Sequence, residues 1–95
     1  MSKPYIRELN PNYNIIVDYL MTANPNAWLA DGFDEALLGT MGGPDGEVAV
    51  YSEAAILKIL IDEGLTEEDA IEHMEYNIKG SGFANNGPVF VFEPI

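Results

Sequence analysis

Asp31, Asp34 and Glu35 fall within five residues beside Gly32, an oxygen-rich turn of the kind that can hold Ca²⁺ or Mg²⁺. The alternate acidic positions and distant glutamate of an EF-hand loop are absent, so the bland alternative is a plain turn with Asp34 capping backbone N–H groups and Phe33 entering the core. His73 follows Glu72, but helix neighbours project about 100° apart and cannot work as an acid/base pair. Asp69, four positions before His73, shares its side of a helix, which suggests an ordinary surface pair. Tyr76 and Asn77 precede the glycine-containing run Gly80, Ser81, Gly82 up to Gly87, so a polar patch beside a loop is expected there. No Ser/His/Asp order, H-E-x-x-H, Walker A or G-x-G-x-x-G pattern occurs, and no cofactor is expected. The chain has no cysteine, which removes disulfides, zinc-thiolate sites and thiol nucleophiles together.

Charge is more informative than any motif. The 95 residues carry a formal net charge of −12, and between Glu8 and Ile78 the single cation is Lys58. Such a field repels phosphate backbones and anionic membranes and speeds association with basic surfaces. With four Lys and Arg in all there is no basic platform, so direct nucleic-acid binding is not expected. Asp62, Glu63, Glu67, Glu68, Asp69, Glu72 and Glu75 crowd one short stretch that holds no Lys or Arg. Such a stretch can imitate a run of phosphates, or can simply keep a protein soluble.

Breaks in the chain place the elements that carry these groups. With 47% hydrophobic residues the chain has enough apolar material for one folded domain, and its length fits a single domain over 1–95. Residues 1–10 suggest an extended arm. Asn10 and Pro11 then suggest an N-cap with proline at the first helical position, opening a helix over 11–23 with an apolar stripe of Ile15, Ile16, Tyr19 and Leu20. Pro25 ends it. Residues 26–30 suggest a helical turn that plants Trp28 in the core. Runs 36–41 and 47–51 suggest a hairpin around the five-residue loop 42–46, with Ala49 and Tyr51 on one face of the second strand and Val48 and Val50 on the other.

Ser52 is placed to cap a helix over 53–63 that closes at Gly64, and Thr66 to cap a helix running to Lys79 and stopping at Gly80. The apolar line of the latter is Ala70, Ile71, Met74 and Ile78. Residues 88–92 suggest a third strand. The expected fold class is α+β, a small three-stranded antiparallel sheet with about three helices packed on one face. A parallel sheet is not expected, because a helical crossover precedes the last strand alone. No apolar run approaches the roughly 20 residues needed to span a bilayer, so no membrane is expected and the chain reads as cytoplasmic.

Gly32-Phe33-Asp34-Glu35-Ala36-Leu37-Leu38-Gly39, Val50-Tyr51, Glu75-Tyr76-Asn77 with Gly80, and Pro88-Val89-Phe90 together resemble a family of small uncharacterised bacteriophage-encoded proteins. The resemblance spans about residues 31–92, and its most specific parts are GFD-x-A-x-x-G and EYN-x-x-G. It implies a viral accessory protein acting in the cytoplasm of an infected host cell, and it supplies no reaction.

We therefore expect a non-catalytic protein that binds another protein with a basic surface, such as one that handles nucleic acid. The expected binding residues are Asp62, Glu63, Glu67, Glu68, Glu72 and Glu75, with Tyr76 and Asn77 at the edge. The alternative is a small-ligand or divalent-metal-dependent enzyme or binding protein with its site between the Asp31 to Glu35 turn and the Tyr76 to Gly87 segment. A third expectation, a homo-oligomer, rests on the edge of the strand over 88–92.

Overall fold

The computed structural model describes residues 10–79 and 85–92. The arm expected over 1–10 therefore lies outside the described residues except for Asn10, as do the stop at Gly80 and most of the loop after it. Among the described residues, three α-helices and a three-stranded mixed sheet make an α+β fold.

Helix α1 (Tyr13–Ala23) starts two residues later than the Asn-Pro signal suggests. Asn12 is its N-cap residue, with no side-chain cap bond, while the Asn10 carbonyl accepts from Tyr13 N at 3.0 Å. The inward face is Tyr13, Ile16, Val17, Leu20 and Met21, a spacing of i, i+3, i+4, i+7, i+8. Ile15 and Tyr19 belong to the expected stripe yet are exposed, because the row through Leu20 is the one that meets the sheet. Residues 27–30 are not helical, and Trp28 is 55% exposed rather than planted in the core. The residue buried there is Ala30.

Gly32 takes φ +89° in the following turn, a conformation that disfavours any side chain. A single 3₁₀ turn (Asp34–Ala36) then feeds β1 (Leu37–Gly43). Its N-cap is Phe33, with no side-chain cap bond, and Phe33 packs against the core as expected. Strand β2 (Gly46–Ser52) pairs antiparallel with β1, from Leu37 opposite Tyr51 to Gly43 opposite Gly46. The hairpin loop is thus the two residues Pro44 and Asp45, shorter than the expected five, because the flanking glycines continue the ladder. Ala49 and Tyr51 face the core as their alternation requires.

Ser52 Oγ accepts from Ala55 N at 3.1 Å and opens α2 (Glu53–Asp62). The helix ends with Gly64 N donating to Ile61 O and Leu65 N to Leu60 O, with Gly64 at φ +114°, the Schellman arrangement that occupies otherwise orphan carbonyls. Thr66 Oγ1 accepts from Asp69 N at 3.1 Å and opens α3 (Glu67–His73). A π turn (Met74–Lys79) continues it where an α-helix was expected.

Strand β3 (Val89–Val91) lies beside β2 in the order β1-β2-β3 and runs parallel to it, Val50 opposite Val89 and Tyr51 opposite Phe90. This corrects the expectation of a purely antiparallel sheet. The pair α2 and α3 serves as the crossover, so β3 can enter from the same end as β2, and one crossover suffices for one parallel pair. The core gathers Leu20, Tyr51, Ile56, Leu60, Ala70 and Met74, with the Tyr51 and Phe90 rings 5.9 Å apart and tilted by 31°.

Candidate functional site: an acidic helix corner

Helix α3 and its π turn carry four rows at four-residue spacing. Ala70, Met74 and Ile78 are buried and fix the orientation of the whole element. Ile71, expected on that line, is 48% exposed because it lies about 100° from it. The outward rows are then Glu67, Ile71, Glu75 and Glu68, Glu72, Tyr76, all exposed, with Tyr76 at 74%. Glu67, Glu68 and Asp69 occupy the first turn, where carboxylates meet the positive end of the helix dipole.

Asp62 and Glu63 extend this surface from α2, which packs on α3. Asp62 is the last residue of α2 and Glu63 its C-cap, both exposed, and no basic residue lies in that last turn. The sequence-expected carboxylates thus lie exposed around one helix corner.

The remaining row joins Asp69, His73 and Asn77. Asn77 Nδ2 lies 3.2 Å from His73 Nδ1, so Asn77 donates to the ring when that nitrogen is unprotonated. His73 is therefore bonded to Asn77 four positions on, whereas the sequence pointed to Asp69 four positions before. The π turn holding Tyr76 and Asn77 is a feature that sequence periodicity could not display, and such turns recur at functional sites.

The alternative site was expected between the Asp31 to Glu35 turn and the Tyr76 to Gly87 segment, of which 80–84 lie outside the described residues. Asp31 is exposed while Asp34 and Glu35 are half-buried, and the Asp34 carbonyl accepts from Asn10 Nδ2 at 2.7 Å. Among the described residues no three His, Asp or Glu side chains are grouped so as to hold a metal ion. Asn85 and Asn86, near the end of the later segment, engage other parts of the fold. Asn85 Nδ2 donates to Asp45 Oδ2 at 3.0 Å, and Asn86 O accepts from Trp28 N at 3.0 Å.

Three polar groups escaped the sequence reading. Asn24 Nδ2 donates to Glu47 O and to Asn86 Oδ1, both at 2.9 Å, which ties the exit of α1 to the hairpin and to the approach to β3. Asn10 Nδ2 bonds the Asp34 and Leu37 carbonyls and ties the entrance of α1 to the start of β1. Both asparagines are buried, where an amide must find partners. The available signal was Asn before Pro, which also marks a cap.

Tyr51, fully buried, accepts from Ala30 N at 2.8 Å. Burial pushes its phenol up from 10.0 to about 12, opposed by the Ala30 hydrogen bond and reinforced by nearby Tyr13, Asp34 and Asp31. The strand alternation put Tyr51 on one face with Ala49 but named neither the buried face nor the partner.

No protein-family model, curated protein or solved structure matches the chain.

Proposed function

We propose that this is a non-catalytic protein that binds a partner protein with a basic surface through the corner formed by Asp62, Glu63, Glu67, Glu68, Glu72 and Glu75, with Tyr76 and Asn77 at its edge. The observation that carries this is the position of Asp62 and Glu63. At the carbonyl end of α2 a carboxylate is the wrong charge for the helix dipole, and each costs about 0.3 to 1 kcal/mol at low ionic strength. Solubility would be served equally well by charge placed elsewhere. Here the unfavourable pair extends the exposed carboxylates of α3 onto the end of the helix packed against it, an arrangement that suits a basic groove.

Such a surface resembles a line of phosphates, which favours a partner that handles nucleic acid. The likeness to small bacteriophage proteins supports an accessory role in the cytoplasm of an infected cell. No helix among the described residues is long and apolar enough to cross a membrane. Electrostatic steering of this kind raises association rates by about 10- to 1,000-fold at low salt.

The test is an affinity capture from bacterial lysate with nuclease present, at low and high salt, comparing wild type with the combined variant Asp62→Asn, Glu63→Gln, Glu68→Gln, Glu72→Gln. We expect one partner with wild type at low salt, lost at high salt and lost with the variant. The variant should melt close to wild type, since Asp62→Asn and Glu63→Gln relieve the dipole conflict at α2 while Glu68→Gln gives up a favourable charge at the start of α3. Equal capture by the variant, or no capture by wild type, refutes the proposal.

A further inference from the structure

We propose that Asn86 is a site of spontaneous deamidation, and that its conversion resets the joint between α1, the hairpin and β3. The chain's asparagines differ in the residue next in the chain. Asn10 and Asn24, the two buried tethers, each precede a proline, whose nitrogen carries no proton to lose and cannot attack the side-chain amide. Asn12 and Asn26 precede Tyr13 and Ala27, whose N–H groups are already donated to the Asn10 and Asn24 carbonyls. Asn14 and Asn77 sit inside helical segments. Asn85 precedes Asn86, whose side chain hinders approach. Asn86 alone precedes glycine, where no Cβ shields the attacking nitrogen.

The local structure favours the reaction further. Asn86 and Gly87 lie in a turn and bend ahead of the β2–β3 ladder, which begins at Val89, so neither is held by strand pairing. Asn24 Nδ2 donates to Asn86 Oδ1 at 2.9 Å and draws electron density from the side-chain carbonyl, making its carbon a better electrophile.

The deprotonated Gly87 nitrogen forms a bond to Asn86 Cγ, and the side-chain nitrogen leaves as ammonia, giving a five-membered succinimide. Water then opens the ring at one of its two carbonyls. Opening at Cγ gives aspartate, which keeps an oxygen for Asn24 and makes that hydrogen bond charge-assisted. Opening at the main-chain carbonyl gives isoaspartate, in which the chain to Gly87 runs through Cβ and Cγ. The carbonyl that receives Trp28 N becomes a free carboxylate, and one extra carbon enters the path to β3. Both products add one negative charge near Asp45, which Asn85 contacts at 3.0 Å.

The test incubates the folded full chain at neutral and mildly alkaline pH, with a parallel sample in urea. Trypsin cleavage after Lys79 releases 80–95, whose fragmentation by mass spectrometry separates Asn85 from Asn86. We expect amide-to-acid conversion at residue 86, faster in proportion to hydroxide. Asn86 lies outside the ladders but keeps hydrogen bonds from Trp28 N and Asn24 Nδ2, so the native rate should be slower than the rate in urea yet measurable. An unchanged Asn86 in the folded chain overturns the proposal, whether or not the urea sample converts. For the structural consequence, the isoaspartate form separated by chromatography should melt below the Asn86→Asp variant. Equal melting of the two overturns that half.

Discussion

Replacing Tyr51 by phenylalanine isolates one hydroxyl at the centre of the molecule. Tyr51 Oη accepts from the N–H of buried Ala30, and the ring keeps its contact with Phe90 in the variant. Below pH 10 the loss is that of a hydrogen bond with its N–H left unsatisfied, about 1 to 3 kcal/mol. The phenol itself gives a second, pH-dependent contribution. Its folded value is raised from 10.0 to about 12, chiefly by burial, so the neutral form is favoured by folding. That stability is fully present below the unfolded value and is lost as pH rises through the folded one. A displacement from 10.0 to about 12 corresponds to about 3 kcal/mol, removed at about 1.4 kcal/mol per pH unit across that window.

Tyr51→Phe lacks this dependence. Urea unfolding of both proteins from pH 7 to 12 should therefore show wild type ahead by a constant margin up to about pH 10, then a margin that shrinks to nothing or reverses. A margin that stays constant to pH 12 would refute the placement of the hydroxyl in a desolvated site. So would equal stability at pH 7.

Asn24→Ala removes two donors from a buried position, leaving Glu47 O and Asn86 Oδ1 without them, and should cost about 2 to 3 kcal/mol in urea denaturation; a change below about 0.5 kcal/mol would show that the tether carries nothing. Gly46→Ala should cost more than Gly32→Ala. Both have positive φ, +134° and +89°, and incur strain of order 1 kcal/mol or more, but a Cβ at Gly46 also meets the Asn24 side chain at 3.2 Å while one at Gly32 meets nothing within 4 Å. Equal costs in thermal unfolding would mean that the Asn24 side chain simply moves aside.

Sequence alone settles the part of this fold held by bonds a few residues long. Ser52 and Thr66 cap as their types foretell, Gly64 terminates α2, and the two runs around the Gly42 to Gly46 cluster pair as a hairpin, because each partner lies within reach along the chain. The acidic corner was legible for a related reason. Carboxylates that cannot be buried without partners must lie outside, and the helix period sets their rows.

Everything else came from long-range packing. The β-branched and aromatic run marks β3 as a strand but does not state its direction, which was fixed by where the α2 and α3 crossover delivers the chain. Ile15 and Tyr19 are as apolar as Ile16 and Leu20, yet only one side of α1 can face the sheet. Asn10 looks like a helix cap and Asn24 like the helix end before a proline, until the fold brings the Leu37 and Glu47 carbonyls against them, 27 and 23 residues away. In each case the deciding partner is distant in sequence, and local propensity carries no record of it.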